Sequence, residues 1–358
     1  MSTLLKSELN LGIENDEVEY TLSDLGIQHE NEEGKERPME ERALAEDKGH
    51  VFTAVLSREE SDGIIAFLER EGAAHWRTQG HGDSASEERR YRNYSRQCFF
   101  STELGDLLEK RMGGQLLPES MMAARVVRPE GREAVKPQRG DDGVMETEGV
   151  VGTEGEWAFH RVNPYFRALK YGAGGYFAPH TDGVTSLSTA EGGAYGERSF
   201  VTLMVYLNGG FEGGATQFYK DNSVPLYTRP ESGEALVDRV SPAPGQLLAF
   251  WHHAVHEGEE VVWPEQGEGE GEGEDEGRGG AHKQMLHNRR LHKIALRTEA
   301  MFVRRSVPAD PLDPDGAGLA LLREARDLSD ASRYPEAIRL FSRLRHQYPH
   351  LAEAEGVM

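Results

Sequence analysis

The chain of 358 residues sets 40 Lys and Arg against 62 Asp and Glu, a formal net charge of −22, with 37% hydrophobic residues and one cysteine, Cys98. That length allows one large domain or two ordinary ones with a real core. One thiol excludes a disulfide scaffold and the cysteine zinc sites. No apolar run reaches the roughly 18 residues a membrane span needs, and the acidity argues against nucleic acid as the main partner.

Residues 1–50 carry 14 acidic residues against 5 basic ones, and 264–281 carry 7 against 1, which together supply −15 of the −22. Both stretches are poor in aromatic and β-branched residues, so they have little apolar surface to offset the entropy of ordering and are expected to be disordered. Glu8, Glu14, Asp16 and Glu17 interrupt the opening before any apolar segment develops, unlike a secretory signal. With a single Cys and no membrane span, the expected location is cytoplasm or nucleus.

Folded sequence is expected from Val51. Ser57 with Glu60 three residues later is a capping-box pattern that opens a helix; Ile64, Ile65 and Leu68 supply its apolar face, and Gly72 its end. Leu104, Leu107 and Leu108 mark a second amphipathic helix. Residues 51–156 thus read as helical support, with 124–156 a polar, Gly-rich irregular insertion. From 157 the texture changes to short segments such as FRALKYG, SFVTLMVYLNG and QLLAFWHHAVHEG, rich in β-branched and aromatic residues and separated by turn formers. Many short strands without intervening helical patterns predict an all-β sandwich or jelly roll with the helices packed outside.

Residues 306–358 are a linker, made by Pro308, Pro311 and Pro314 with Gly316 and Gly318, followed by resumed helical periodicity. Leu321, Ala325 and Leu328 line one face; Ala337, Ile338, Phe341 and Leu344 line another, and Pro349 ends it. The spacing of Ala325, Tyr334, Ala337, Phe341 and Pro349 resembles a single tetratricopeptide repeat. One such repeat cannot bury its own face, so this hairpin must pack on the barrel, self-associate or take a protein partner.

The chemistry concentrates in YGAGGYFAPHTDG. On a strand, residues i and i+2 point the same way, so His180 and Asp182 converge on one spot and could ligate a metal. A second His-bearing strand follows, where alternation places His252, Ala254 and His256 on one face and His253 and Val255 on the other. Two His and one carboxylate with open positions form the facial triad of non-haem Fe(II) oxygenases, though three protein ligands also describe catalytic zinc.

Four strings, NPYFRALKYGAGGYFAPHTDG, SFVTLMVYLNGGFEGGATQFY, PGQLLAFWHHAVHEGEEV and KIALRTEAMF, resemble in order and content the Fe(II)/2-oxoglutarate dioxygenases, and among them the prolyl 4-hydroxylase branch. The resemblance spans 157–305 and implies a mainly β, α+β fold: a double-stranded β-helix (jelly-roll) core with N-terminal supporting helices and a C-terminal helical hairpin. It implies Fe(II) on His180, Asp182 and His256, and 2-oxoglutarate whose distal carboxylate meets Lys293, with Tyr171 and Thr202 helping to hold it. His252 and His253 are rivals to His256; Arg297, Lys283, Arg289 and Arg290 are rivals to Lys293. The 37 positions from His256 to Lys293 exceed the family's usual spacing, and the surplus at 264–290 is expected to hang outside the barrel as a disordered insert, since loop closure costs grow only logarithmically.

The activity so implied is hydroxylation of a C–H bond, that of a peptidyl proline in a peptide or protein substrate, with dioxygen consumed, succinate and carbon dioxide released, and ascorbate as reductant. A β-helix without catalysis that binds through its tetratricopeptide-like tail would call for a damaged triad. A hydrolytic or isomerising metalloenzyme on a cupin-like barrel would lack the Lys293 anchor.

Overall fold

The computed structural model describes residues 19–27, 39–72, 76–78, 91–111, 118–127, 137–140, 142, 144–148, 155–189, 193–221, 223–228, 235–262, 292–306, 317–330, 333–354 and 357. Its site-bearing strands are β1 (Gly49–Phe52), β2 (Ser95–Phe100), β3 (Gly155–Val162), β4 (Tyr165–Tyr171), β5 (Tyr176–His180), β6 (Gly193–Tyr206), β7 (Thr216–Tyr219), β8 (Leu236–Val240), β9 (Gln246–Trp251), β10 (His256–Gly258) and β11 (Lys293–Ser306). The helices are α1 (Arg58–Gly72), α2 (Thr102–Arg111), α3 (Ala317–Asp330), α4 (Tyr334–Gln347) and α5 (Pro349–Ala354).

One sheet runs β1–β9–β6–β11. The long strand β11 then pairs with β4 through Lys293–Arg297 and with β3 through Ala300–Ser306, while β2 pairs with β4. The facing sheet runs β8–β7–β10–β5, with the two-residue strand Arg92–Asn93 at its edge. All of these pairs are antiparallel, which gives the expected jelly roll: mainly β, with helices outside.

Alternation along the larger sheet separates two cores, because successive side chains leave a strand on opposite faces. Phe166 and Ala168 of β4, Leu203 and Val205 of β6, Leu247 and Ala249 of β9, and Ile294 and Leu296 of β11 pack outward against Ile64, Leu68, Leu104 and Leu108 of the helices. Leu169, Tyr171, Met204, Tyr206, Leu248, Phe250 and Ala295 point inward and meet Phe218 and Val240 of the smaller sheet. Strands buried on both faces read as near-continuous apolar runs. The capping box of α1 closes in both directions: the Ser57 amide donates to Glu60 Oε2 at 2.6 Å, and the Glu60 amide to Ser57 Oγ at 3.1 Å.

Three expectations change. Order begins before Val51: Leu22, Leu25 and Ile27 belong to the outer core, and β1 pairs with β9, because apolar residues scattered among acids suffice once a sheet edge receives them. Within 124–156, strands Ala123–Val127 and Met145–Glu148 pair in parallel and bury Ala124, Val126 and Met145. In the C-terminal hairpin Ile338 is not on the buried face. It is 60% exposed, while Ala337 and Leu344 are buried and Leu344 packs with Leu319, Leu322 and Leu351. Residues 1–18, 28–38 and the 264–290 insert lie outside the described residues. Among those described, no helix is long and apolar enough to cross a membrane.

Replacing Leu68, fully buried between α1 and the sheet, by Ala should cost about 2–5 kcal/mol in urea unfolding. Ile338→Ala should stay within about 0.5 kcal/mol. The reverse ranking would overturn both assignments.

Candidate metal centre

Strands β5 and β10 pair so that His180 lies directly opposite His256, with a register shift between Phe177 and His180. The two imidazole centroids are 4.3 Å apart. Asp182, two residues past His180 and just beyond the strand end, places Oδ1 at 3.8 Å from His180 Nε2 and Oδ2 at 3.9 Å from His256 Nε2. These three residues form the group of potential metal ligands found among the described residues, with one donor atom from each within 4.8 Å of the others. Bonds of about 2.1 Å to one ion would need only a modest contraction of these distances.

Each ring is held from behind. His180 Nδ1–H donates to the Ala178 carbonyl at 2.8 Å and His256 Nδ1–H to the Ala254 carbonyl at 2.9 Å. The lone pair is thereby left on Nε2, facing the cluster, which is the tautomer a metal needs. Phe177 stacks on the His180 ring at 3.6 Å and Phe250 meets His256 edge-on at 4.5 Å. Burial pulls the His180 imidazole down to about 3, with His256 adding to the effect, and burial also lowers His256. Both rings are therefore neutral at pH 7. Burial pushes the Asp182 carboxyl up, but the Arg297 guanidinium and neighbouring imidazoles outweigh it and hold it well below the usual carboxylate range. Two neutral imidazoles and one ionised carboxylate on a single side of a cavity suit a divalent ion such as Fe(II).

The strand alternation expected through 252–256 does not hold. β9 ends at Trp251, a turn closed by the Ala254 amide on the Trp251 carbonyl follows, and β10 restarts at His256. His252 is thereby carried out of the cluster. It is 5% exposed, and neither ring nitrogen has a hydrogen-bond partner among the described residues; its main-chain carbonyl accepts the Asp182 amide at 2.9 Å. His253 stacks near Trp251 instead.

Lys293 and Tyr171 are directly opposed on β11 and β4, and both line one narrow cavity with His180, Asp182 and His256. Lys293 is 2% exposed; its Nζ donates to the Gly214 carbonyl at 2.6 Å and lies 4.8 Å from the Tyr171 ring centre. Among the described residues no carboxylate is in ion-pair contact with it, and burial pulls its ammonium down to about 7 against the pull of Glu259. Thr202 points at the metal ligand rather than along this cavity, its hydroxyl donating to Asp182 Oδ2 at 2.5 Å. Arg297 Nη2 takes the other oxygen, Oδ1, at 3.0 Å. Lys283, Arg289 and Arg290 lie outside the described residues.

Sequence reasoning missed further residues of the cavity, namely Arg167, Thr216 with its hydroxyl 2.6 Å from Tyr206, and Tyr94 and Arg96 from β2 and its approach, together with Glu299, which sits behind Arg167 and Arg297. For Glu299 a signal existed, since it shares the alternation parity of Lys293 and Arg297. On the far side of Asp182 lies a second cavity of about 200 Å³, lined by Thr181, Val184, Arg198, Phe200 and His252 among others.

Residues 166–266 match the family model described as 2OG-Fe(II) oxygenase superfamily, so the similarity covers β4 through β10 and all three cluster residues. No curated protein matches the chain. Among solved structures, a viral collagen prolyl hydroxylase from Paramecium Bursaria Chlorella virus-1 in its 2OG complex is 16% identical, over 76% of this chain and 98% of that one, with a TM-score of 0.36. A Pseudomonas putida prolyl-4-hydroxylase is 13% identical over 80% and 97%, with a TM-score of 0.35. HygX from Streptomyces hygroscopicus, with nickel and 2-oxoglutarate bound, is 11% identical over 72% and 83%, with a TM-score of 0.33.

His180→Ala or His256→Ala should weaken Co(II) binding by at least about 100-fold in calorimetry, whereas His252→Ala should change it by less than about threefold. An equal loss for His252→Ala would make it the third ligand in place of His256.

Proposed function

We propose that this chain is an Fe(II)- and 2-oxoglutarate-dependent dioxygenase that hydroxylates a C–H bond, with peptidyl proline as the substrate its four motif strings imply. The observation that carries the reading is the buried cluster of His180, Asp182 and His256 sharing one cavity with a buried Lys293 that has no ion-pair partner among the described residues. When bound, Fe(II) with 2-oxoglutarate supplies the activation of dioxygen that oxidises the C–H bond, releasing succinate and carbon dioxide, with ascorbate as the reductant the resemblance implies.

The chain's own contribution is geometry, charge and exclusion of water. The two carbonyl-anchored imidazoles and Asp182 would hold the metal from one side. Thr202 and Arg297 fix both Asp182 oxygens, so the carboxylate keeps its orientation whichever oxygen binds. Lys293 would receive the distal carboxylate of 2-oxoglutarate as a point charge, an interaction strengthened by the apolar walls around it. Tyr171, opposite Lys293, would flank the same diacid. The intact ligand set and anchor favour this reading over a silent binding module.

Anaerobically reconstituted protein given Fe(II), 2-oxoglutarate, oxygen and proline-rich peptides should release succinate. Release no greater than that of His180→Ala would sink the oxygenase reading. Lys293→Ala should raise the 2-oxoglutarate requirement at least about tenfold with Co(II) affinity retained; an unchanged requirement would reassign the anchor to Arg297.

Lys293 also predicts two opposite pH trends. Its folded pKa, depressed to about 7, means that from there up to its ordinary range the unfolded chain binds the extra proton, so the ligand-free protein gains stability as pH rises through that window. The diacid needs the charged ammonium, so 2-oxoglutarate affinity should fall as pH rises above 7. Flat affinity between pH 6.5 and about 9, read by calorimetry on Ni(II)-loaded protein, would remove Lys293 from the role.

A further inference from the structure

The cavity wall made by β2, β4 and β11 carries more positive charge than the cosubstrate uses. Antiparallel pairing sets Arg167 directly opposite Arg297, and Arg96 opposite Leu169, two residues closer to Lys293. All three arginines line the same cavity as the metal cluster. Like charges directly opposed across strands are unfavourable unless something bridges them. Here Glu299 does: Arg167 binds its Oε1, Arg297 stands 3.8 Å from that oxygen, and Asn163 donates to Oε2 at 2.9 Å. Glu299 is thus saturated by two arginines and an amide.

Arg96 is different. Its backbone is paired on both sides, but its half-buried side chain makes neither a hydrogen bond nor an ion pair among the described residues and has Tyr94 and Tyr165 as its electrostatic neighbours. Arg297 keeps its buried Nε without a partner, and each guanidinium offers five N–H donors. The carboxylates that line the cavity are Asp182, committed to the metal site, and Glu257. The four lining cations, Arg96, Arg167, Lys293 and Arg297, outnumber these carboxylates even with Glu299 behind them counted, in a chain whose overall charge is strongly negative.

A five-carbon diacid cannot absorb this surplus. Arg297 lies four residue steps along β11 from Lys293, about 13 Å of strand, whereas the terminal carbons of 2-oxoglutarate are roughly 5 Å apart. With its distal carboxylate on Lys293 and its other end at the cluster, both of its charges are used, and the arginines toward Glu299 remain. A guanidinium fork matches a carboxylate in bidentate fashion.

We propose that the substrate presents a carboxylate to Arg96, with Arg167 and Arg297 flanking it, so that this chain selects an acidic substrate over a neutral one. This rests on the oxygenase reading above and narrows it. The carboxylate can belong to a free acid or to an acidic side chain next to the hydroxylated residue.

The test titrates the full chain, loaded with Ni(II) and 2-oxoglutarate, with N-acetyl-L-proline and its amide, and with blocked Asp-Pro and Asn-Pro dipeptides, by calorimetry. At least one acid should bind about tenfold or more tightly than its neutral partner; which pair discriminates identifies the source of the carboxylate. The preference should disappear in Arg96→Gln and survive in Arg96→Lys, with the thermal midpoint of each variant showing that it folds. Acid and neutral forms bound alike, no binding by any of the four, or a preference unchanged in Arg96→Gln would overturn the proposal. Visible charge-transfer absorption of the wild type with Fe(II) and 2-oxoglutarate, measured anaerobically, tests the parent reading separately. Its absence would count against the oxygenase, and its presence alongside indifferent binding would count against the arginine wall alone.

Discussion

The site depends on one strand pairing. β5 and β10 are short, and they meet in the register that puts His180 across from His256. A slip of one residue would turn one imidazole to the opposite face, because side-chain direction alternates with a period of two. The irregularity between Phe177 and His180 and the stacking of Phe177 on the His180 ring fix that register locally. β7, on the other side of β10, sets Phe218 beside His256. Carbonyls two residues upstream of each histidine then fix the ring orientation, so the strand geometry dictates the tautomer as well as the position.

Asp182 lies past the end of β5, where no ladder holds it, and the larger sheet does that work. Thr202 of β6 and Arg297 of β11 each take one carboxylate oxygen, and the Asp182 amide is tied to the turn after β9. The two sheets of the jelly roll therefore contribute separately: the smaller brings the histidines, the larger orients the carboxylate and supplies the cations. Closing the sheets over Leu169, Met204, Phe218 and Phe250 excludes water and strengthens every charge interaction between them. Burial displaces Lys293 and the histidines from their ordinary protonation, while Asp182 stays ionised against burial because the Arg297 guanidinium and the neighbouring imidazoles hold its charge.

The helices matter by covering the outer face of the larger sheet. Ile64 and Leu68 of α1 and Leu104 and Leu108 of α2 bury its outward residues, which keeps the inner face in register. The C-terminal helices have a small core of their own, in Leu319, Leu322, Leu344 and Leu351. Charge is similarly partitioned. The excess of acid is concentrated in 1–50 and 264–281 of the sequence, whereas the cavity is lined by arginines, so net charge does not describe the site.

The sequence by itself determined the features that depend on near neighbours. The Ser57–Glu60 box closes because its partners are three residues apart, the apolar faces of α1 and α2 follow helical spacing, and the i, i+2 spacing of His180 and Asp182 needs only a local extended backbone. Motif order also sufficed to read a jelly roll with a His-Asp-His cluster. Tertiary structure alone decided the rest. It broke the strand after Trp251 and so separated His252 from His256, turned Ile338 to solvent, gave Leu25 a place in the core, and aimed Thr202 and Arg297 at Asp182. Each of these depends on which strand or helix lies alongside, often across more than a hundred residues of chain. Alternation assigns a side chain to a face, but only long-range pairing decides what that face meets.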